Sequence, residues 1–338
     1  MNIQENISLK PYNSFGLEAK ARFFVEVTGP VQLQKVLELE AYTKKFILGG
    51  GSNMLLVKDI DALVIHIAMK GIEIVEENEK YVEIKAMAGE NWHELVLWCL
   101  DRDYGGLENL SLIPGQVGTA PIQNIGAYGV ELKDVFVSCE AMEVKTGELL
   151  AFDAEDCRFG YRDSIFKQGA KDRYIINSVT LRLTKKDHPL HTNYGAIETE
   201  LRERGIVYPT IRDISDVVIA IRRQKLPDPK VLGNSGSFFK NPVLARKAFD
   251  KLQKRNPEVP FYELDGDLFK IPAAWLIEQC GFKGKRFGDA GVHEKQALVL
   301  VNYGQATGRE ILELAQKIQG EVKRTFGLEL LPEVNIIK

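Results

Sequence analysis

The chain has no uninterrupted run of about 18 apolar residues, the length a membrane-spanning helix needs, and no membrane partner is expected. Its four cysteines, Cys99, Cys139, Cys157 and Cys280, are widely separated with no Cys-x-x-Cys pair. That spacing argues against a disulfide framework and against a metal site, and for buried free thiols. An excess of one charge is also missing: 44 Lys+Arg stand against 47 Asp+Glu, a net charge of -3. No broad basic face is available for nucleic acid or an anionic membrane. Residues 1–5 lack the basic-then-apolar layout of a signal peptide, so the expectation is a soluble, cytoplasmic protein, most simply a monomer. No internal repeat or low-complexity tract is visible, and 338 residues suffice for two or three domains with substantial cores.

What the sequence does have is concentrated in residues 113–129, Ile113-Pro-Gly-Gln-Val-Gly-Thr-Ala-Pro-Ile-Gln-Asn-Ile-Gly-Ala-Tyr-Gly129, which carry four glycines, two prolines and no charge. Glycine costs backbone entropy and proline removes a donor, so this is a poor helix and a poor strand. It reads as a buried loop. Backbone amides in such a loop can approach an anionic or flat ligand closely, although a tight structural connection would use the same residues. A second segment, 46–57, places Gly49, Gly50 and Gly51 with Ser52 and Asn53 between two apolar runs, a strand-loop-strand pattern. It is neither a P-loop nor the Gly-x-Gly-x-x-Gly fingerprint. Two uncharged glycine-dense loops suit the two ends of one elongated cofactor, and a flavin dinucleotide fits.

Along the chain, 22–27 and 62–67 read as strands, with Thr28 capping a helix that turns Leu33, Val36 and Leu37 inward. Alternation over 81–87 predicts a half-buried strand, and Trp92, Leu95, Val96, Cys99 and Leu100 form the stripe of a helix. Strands are expected over 135–145 and 174–183, with a polar turn at 159–164 between them. A helix headed by Asp213 ends in Arg222, Arg223 and Lys225, and residues 233–242 read as a third glycine loop. Pro272 opens a short helix, Leu298 to Asn302 is a strand, and Thr307 with Glu310 forms a capping box for a long helix ending at Gly327. Residues 332–338 close the chain as a strand.

Six motifs in order, Gly49-Gly-Gly-Ser-Asn53, Ile113-Pro-Gly115 with Pro121-Ile-Gln-Asn-Ile-Gly-Ala-Tyr-Gly129, Tyr161-Arg-Asp-Ser164, Lys225-Leu-Pro-Asp-Pro229, Gly236-Ser-Phe-Phe-Lys-Asn-Pro242 and Pro332-Glu-Val334, span the chain. Together they resemble the UDP-N-acetylenolpyruvoylglucosamine reductase family, and the loop around Tyr194 with its helical insertion is similar to type I. The resemblance implies an α+β fold: a two-subdomain FAD-binding module of the vanillyl-alcohol-oxidase (PCMH) type, then a C-terminal α/β substrate-binding domain. Residues 1–68, with 332–338 returning to them, would form the first subdomain, 69–212 the second, and 213–331 the substrate domain.

The implied activity is reduction of an enol ether by NADPH through FAD, yielding UDP-N-acetylmuramate for peptidoglycan. Hydride addition pushes negative charge toward the substrate carboxylate, so a fixed cation and a proton donor are needed. By resemblance Arg162 grips the carboxylate with two parallel bonds, Glu333 polarises the enolate, and Ser237 protonates the carbanionic carbon in a dry pocket. The residues alone also admit a stacked surface arginine, a carboxylate paired with lysine on a sheet, and a serine in a turn. FAD would be held by Gly49, Gly50, Gly51, Ser52 and Asn53, by Ile113, Pro114, Gly115, Thr119, Ile122 and Gly126, and by Arg222. Ala120, where the family often has serine, offers no hydroxyl. Substrate contacts would come from Tyr128, Tyr194, Lys225, Asn241, Tyr262, Lys270 and Gln296, although Tyr128 also reads as a core aromatic. The alternative is an FAD oxidase of the same flavin fold acting on a small alcohol or aldehyde, against which the basic cluster and the Gly236–Pro242 motif argue.

Overall fold

The alternating segment Tyr81–Met87 lies within a five-stranded antiparallel sheet. It pairs with Ile72–Glu77 on one side and Tyr174–Thr184 on the other, and the sheet continues through Phe136–Glu143 to Leu149–Asp153. The expected alternation gives way to burial of Val82, Glu83 and Ile84 in succession. Glu83 tolerates this because Arg182, directly opposite on the next strand, reaches it at 2.6 Å. Helix Trp92–Leu100 is capped by Asn91, whose Oδ1 accepts from Glu94 N at 3.1 Å. Its five striped residues all enter the core beside Ile84, Val179 and Leu181. Cys99, Cys139 and Cys157 are buried free thiols, and Cys280 is half-buried.

The coordinates, a computed structural model, describe residues 2–338 and divide into two compact units. The first comprises Met1–Ile7, Ala21–Gly50 and Asp61–Gln224, and the second comprises Ser8–Lys20, Gly51–Ile60 and Lys225–Lys338. These boundaries differ from those expected from sequence. No break falls at 68/69, and helix Ile211–Lys225, expected to open the last domain at 213, belongs to the first unit through Gln224. That helix begins before Asp213 because Thr210 and Asp213 cap each other, Thr210 N to Asp213 Oδ2 at 2.8 Å and Asp213 N to Thr210 Oγ1 at 3.2 Å.

The first unit also contains a sheet ordered Gln4–Ser8, Lys20–Val27, Ile60–Ile67, Lys45–Leu48, with the last two strands parallel. Helix Pro30–Leu37 starts from Gly29, not Thr28. Pro30 presets the first helical φ, while the Thr28 hydroxyl donates to the Gln32 side chain at 3.1 Å.

The second unit is built on helix Gly308–Phe326, whose capping box between Thr307 and Glu310 is present and which ends on Gly327 at φ +71. Its face of Ile311, Leu314, Ala315, Ile318 and Val322 packs with Leu300 and Leu276. Residues 233–237, expected as a glycine loop, form a strand paired with Val299–Asn302. Glycine suits this strand because a Cβ on Gly233 would lie 2.1 Å from Phe15 O. The sheet continues antiparallel to Ala290–Val292 and Arg286–Phe287. The closing strand is shorter than expected, Asn335–Ile337, and runs parallel to Met54–Leu56. Strand 54–56, expected in the first subdomain, thus falls in the second unit.

Candidate active site

In the first unit, the two glycine segments meet. A Cβ on Gly49 would lie 2.6 Å from Thr119 Cγ2, and one on Gly50 3.2 Å from Gly115 Cα, so only glycine allows this approach. The 113–129 stretch is not wholly buried: it folds as single turns Val117–Thr119 and Pro121–Gln123 followed by strand Gly126–Ala127, with Ile122 and Gly129 exposed. It is tied to 88–92 by Trp92 N to Gly115 O at 3.0 Å, Val117 N to Glu90 O at 2.9 Å and Gly118 N to Ala88 O at 2.9 Å. Ile113 is half-buried and Pro114 exposed at its start.

Arg162 sits in a turn closed by the backbone pair Gly160 and Asp163, with its own φ at +54. Its guanidinium donates to Gly126 O and lies over the Tyr161 ring with Cζ 5.4 Å from the centroid. Sequence reasoning passed over the residues that bind this turn to the glycine stretch. The buried Asn124, at φ +43, donates to Gly160 O at 3.1 Å and Glu131 Oε2 at 2.9 Å, and Ser164 Oγ donates to Ile122 O at 2.8 Å. An Asn in a glycine-rich, uncharged stretch was the available signal.

Tyr128, also left-handed at φ +51, lies edge-on to Tyr194 with centroids 5.4 Å apart. Asn109 joins their two loops, donating to Tyr128 O at 3.1 Å and His191 O at 2.9 Å. The Tyr128 hydroxyl lies close enough to the Arg222 guanidinium to interact with it electrostatically. Burial pushes that phenol up, and burial lowers the Arg222 guanidinium, with Arg162 adding repulsion. The result is a concentration of positive charge beside two tyrosines, suited to a carboxylate or a cofactor anion.

The lining of the same unit suits FAD. Arg222 Nε and Gln116 Oε1 are buried without hydrogen-bond partners among the described residues, and the Gly49/Gly50 and Gly115/Thr119 segments leave no space for side chains. An unspent donor, an unspent acceptor and close-packed backbone match a ligand that is partly anionic and partly neutral.

In the second unit, pairing of strand ends sets Glu333 against Phe238, the residue after Ser237. Glu333 N donates to Phe238 O at 2.8 Å, Lys240 N donates to Leu331 O at 2.9 Å, and Phe239 bridges Pro332. Glu333 thereby stands opposite the residue after Ser237. Ser237 is exposed and Glu333 half-buried. The Gly51–Asn53 segment also lies here: Asn335 Nδ2 donates to Asn53 O at 3.0 Å and Asn53 Nδ2 to Glu333 O at 3.4 Å. Gly51 is at φ +60, and a Cβ on it would lie 1.9 Å from Tyr12 O.

The substrate candidates of this unit fall into two groups. Tyr262 and Lys270 are direct partners across a small antiparallel sheet, with Lys270 Nζ 5.2 Å from the Tyr262 ring centroid. Asn241 accepts from Ala273 N at 2.9 Å, capping helix Ala273–Gln279, and Gln296 accepts from Leu298 N at 3.3 Å in the turn before Val299–Asn302. Lys225 is exposed at the end of its helix. Helix Arg246–Arg255 and the Tyr262–Leu264/Leu268–Lys270 hairpin were not foreseen; only Phe249 and Leu252 are buried on that helix, too few for a visible stripe.

Residues 228–337 match the family described as UDP-N-acetylenolpyruvoylglucosamine reductase, C-terminal domain, and residues 21–153 match an FAD binding domain. The UDP-N-acetylenolpyruvoylglucosamine reductase of Flavobacterium johnsoniae is 58% identical over 337 residues, covering 100% of each chain. That of Pseudomonas aeruginosa is 50% identical over 339 residues, covering 99% of each. Among solved structures, the UDP-N-acetylenolpyruvylglucosamine reductase from Thermus caldophilus aligns with a TM-score of 0.70 at 25% identity, covering 100% of both chains.

Proposed function

The chain belongs to the UDP-N-acetylenolpyruvoylglucosamine reductase family, and from that premise we propose that it reduces UDP-N-acetylglucosamine enolpyruvate to UDP-N-acetylmuramate for peptidoglycan synthesis. FAD is the bound cofactor, NADPH the electron source, and the cytoplasm the expected location. The observation that supports this reading is the backbone bond from Glu333 N to the carbonyl of Phe238, the residue after Ser237.

Bound flavin supplies a hydride to the terminal carbon of the enolpyruvyl group. The chain's own residues then manage the charge that appears on the substrate. Arg162 meets the carboxylate: its bond to Gly126 O and its place over Tyr161 fix the guanidinium plane, which a two-pronged grip on a carboxylate requires. Glu333 acts on the enolate oxygen, as an acid or through a shared water. Ser237 gives its proton to the carbanionic carbon, and Lys240, three residues along the same segment, helps hold the alkoxide left behind. Gly49, Gly50, Gly51, Ser52, Asn53, Gly115, Thr119, Ile113, Pro114, Ile122, Gly126 and Arg222 would hold FAD. The substrate's diphosphate, sugar and base would fall to Lys225, Asn241, Tyr262, Lys270 and Gln296, with Tyr128 and Tyr194.

The test is anaerobic and separates the two half-reactions. In Ser237→Ala, NADPH should bleach the flavin at the normal rate, while reoxidation by the enolpyruvyl substrate slows by about 100-fold or more. Equal slowing of both steps would remove Ser237 as proton donor.

A further inference from the structure

His293 has no part in the account so far. Its side chain is only 8% exposed, and its Nδ1 is buried with no hydrogen-bond partner among the described residues. Such atoms are few in native folds, and each calls for a partner from outside the chain.

The sheet fixes where this imidazole points. Val292 is opposite Leu300, and the ladder extends one residue further, with His293 N donating to Val299 O at 2.9 Å. On the other edge of the same strand, Ser237 is opposite Val299. Residues directly opposite on neighbouring strands project from one face, so Ser237, Val299 and His293 form a row, its ends two strand spacings or roughly 10 Å apart. The alternate residues Leu298 and Leu300 enter the unit's core, so the row looks the other way. His293 therefore shares a sheet face with the proposed proton donor. Burial holds its imidazole below the ordinary histidine range, which favours the neutral ring. A neutral imidazole exchanges one hydrogen bond with a hydroxyl, whereas a phosphate calls for a cation such as Lys225 or Lys270.

Resting on the reading of the reaction given above, we propose that His293 is a substrate-positioning residue that hydrogen-bonds a hydroxyl of the sugar nucleotide on the sheet face that carries Ser237. The role lies in holding, not in proton transfer, because Val299 stands between the two side chains.

The experiment uses the FAD-loaded enzyme. Oxidised protein is titrated with UDP-N-acetylglucosamine enolpyruvate without NADPH, and the change in flavin absorption gives Kd. H293F, similar in volume but without ring nitrogens, should raise Kd by about 10- to 100-fold. H293N, which returns a polar atom near the δ position, should recover most of that loss. Flavin reduction by NADPH should be unchanged in both. Should H293F fail to load FAD, H293Q, with its amide displaced toward the ε position, carries the same expectation of weakened binding. An unchanged Kd in the ring-replaced or displaced variant overturns the proposal and leaves a buried water as the partner of Nδ1. A wild-type flavin that never responds to the substrate overturns the reading of the reaction and this inference together.

Discussion

The Tyr128 hydroxyl and the Arg222 guanidinium interact electrostatically where burial raises the affinity of one for its proton and lowers that of the other. The pair answers a cost that each group would otherwise bear alone. A phenol can stay neutral in a dry site, but a guanidinium cannot, and its Nε already has no partner among the described residues.

Tyr128→Phe leaves the ring and its contact with Tyr194 in place and removes only the oxygen. The loss is expected to cost about 1–3 kcal/mol, because the buried guanidinium loses a polar neighbour. Thermal unfolding of the variant, at about 2–4 °C per kcal/mol, checks it. A melting temperature equal to the wild type's would show that Arg222 does not depend on Tyr128.

Two glycines of one helix should answer alanine with opposite signs. Gly308→Ala would place a methyl 1.7 Å from Leu56 O, a backbone atom with little room to move, and at least about 1–3 kcal/mol should be lost. Gly320, exposed in the same helix with nothing within 4 Å of a Cβ, should gain about 1 kcal/mol on becoming alanine. Denaturant midpoints of the two variants decide the matter, and matching signs would refute the packing at Leu56.

Acid should weaken the fold before the carboxylates titrate. His66, His93 and His293 are all held below the ordinary histidine value of about 6.5, in each case chiefly by burial. A base whose folded pKa is depressed binds fewer protons folded than unfolded, so its contribution is complete above pH 6.5 and is lost as pH falls through the folded value. The melting temperature of the holoenzyme should therefore decline from about pH 6.5 downward. His93→Gln should flatten that decline, since the wild-type Nδ1 accepts from Leu112 N at 3.0 Å and protonation must break this bond. A flat profile between pH 7.5 and 5.5 would contradict the burial.

Much of this was legible in the sequence where the controlling forces are local. The stripe of Trp92–Leu100 and the Thr307/Glu310 box needed only neighbours within a few turns. The glycines at 49, 50 and 115 were visible as glycines, but their mutual approach, across more than 60 residues of chain, was not. Ser237 and Glu333 stood out through their motifs; the backbone bond from Glu333 to Phe238, next to Ser237, links residues with no shared pattern. Asn109 escaped notice, and Asn124 was visible only as a motif member, because a buried amide that joins loops has no periodicity. The 233–242 stretch was misread because pairing with Val299–Asn302 outweighed the poor strand preference of glycine.

The second unit is assembled from Ser8–Lys20, Gly51–Ile60 and Lys225–Lys338, so its first two pieces leave the ribosome long before the third exists. Until then Met54–Leu56 has no Asn335–Ile337 to lie against and Phe15 no Asn302 to cap its carbonyl. Completion of this unit must wait for the last residues to be made, which lengthens the interval in which apolar strands stand uncovered and invites chaperone engagement. No cut at a single peptide bond can free the first unit intact, and any attempt to express it by itself must first rejoin three separated segments.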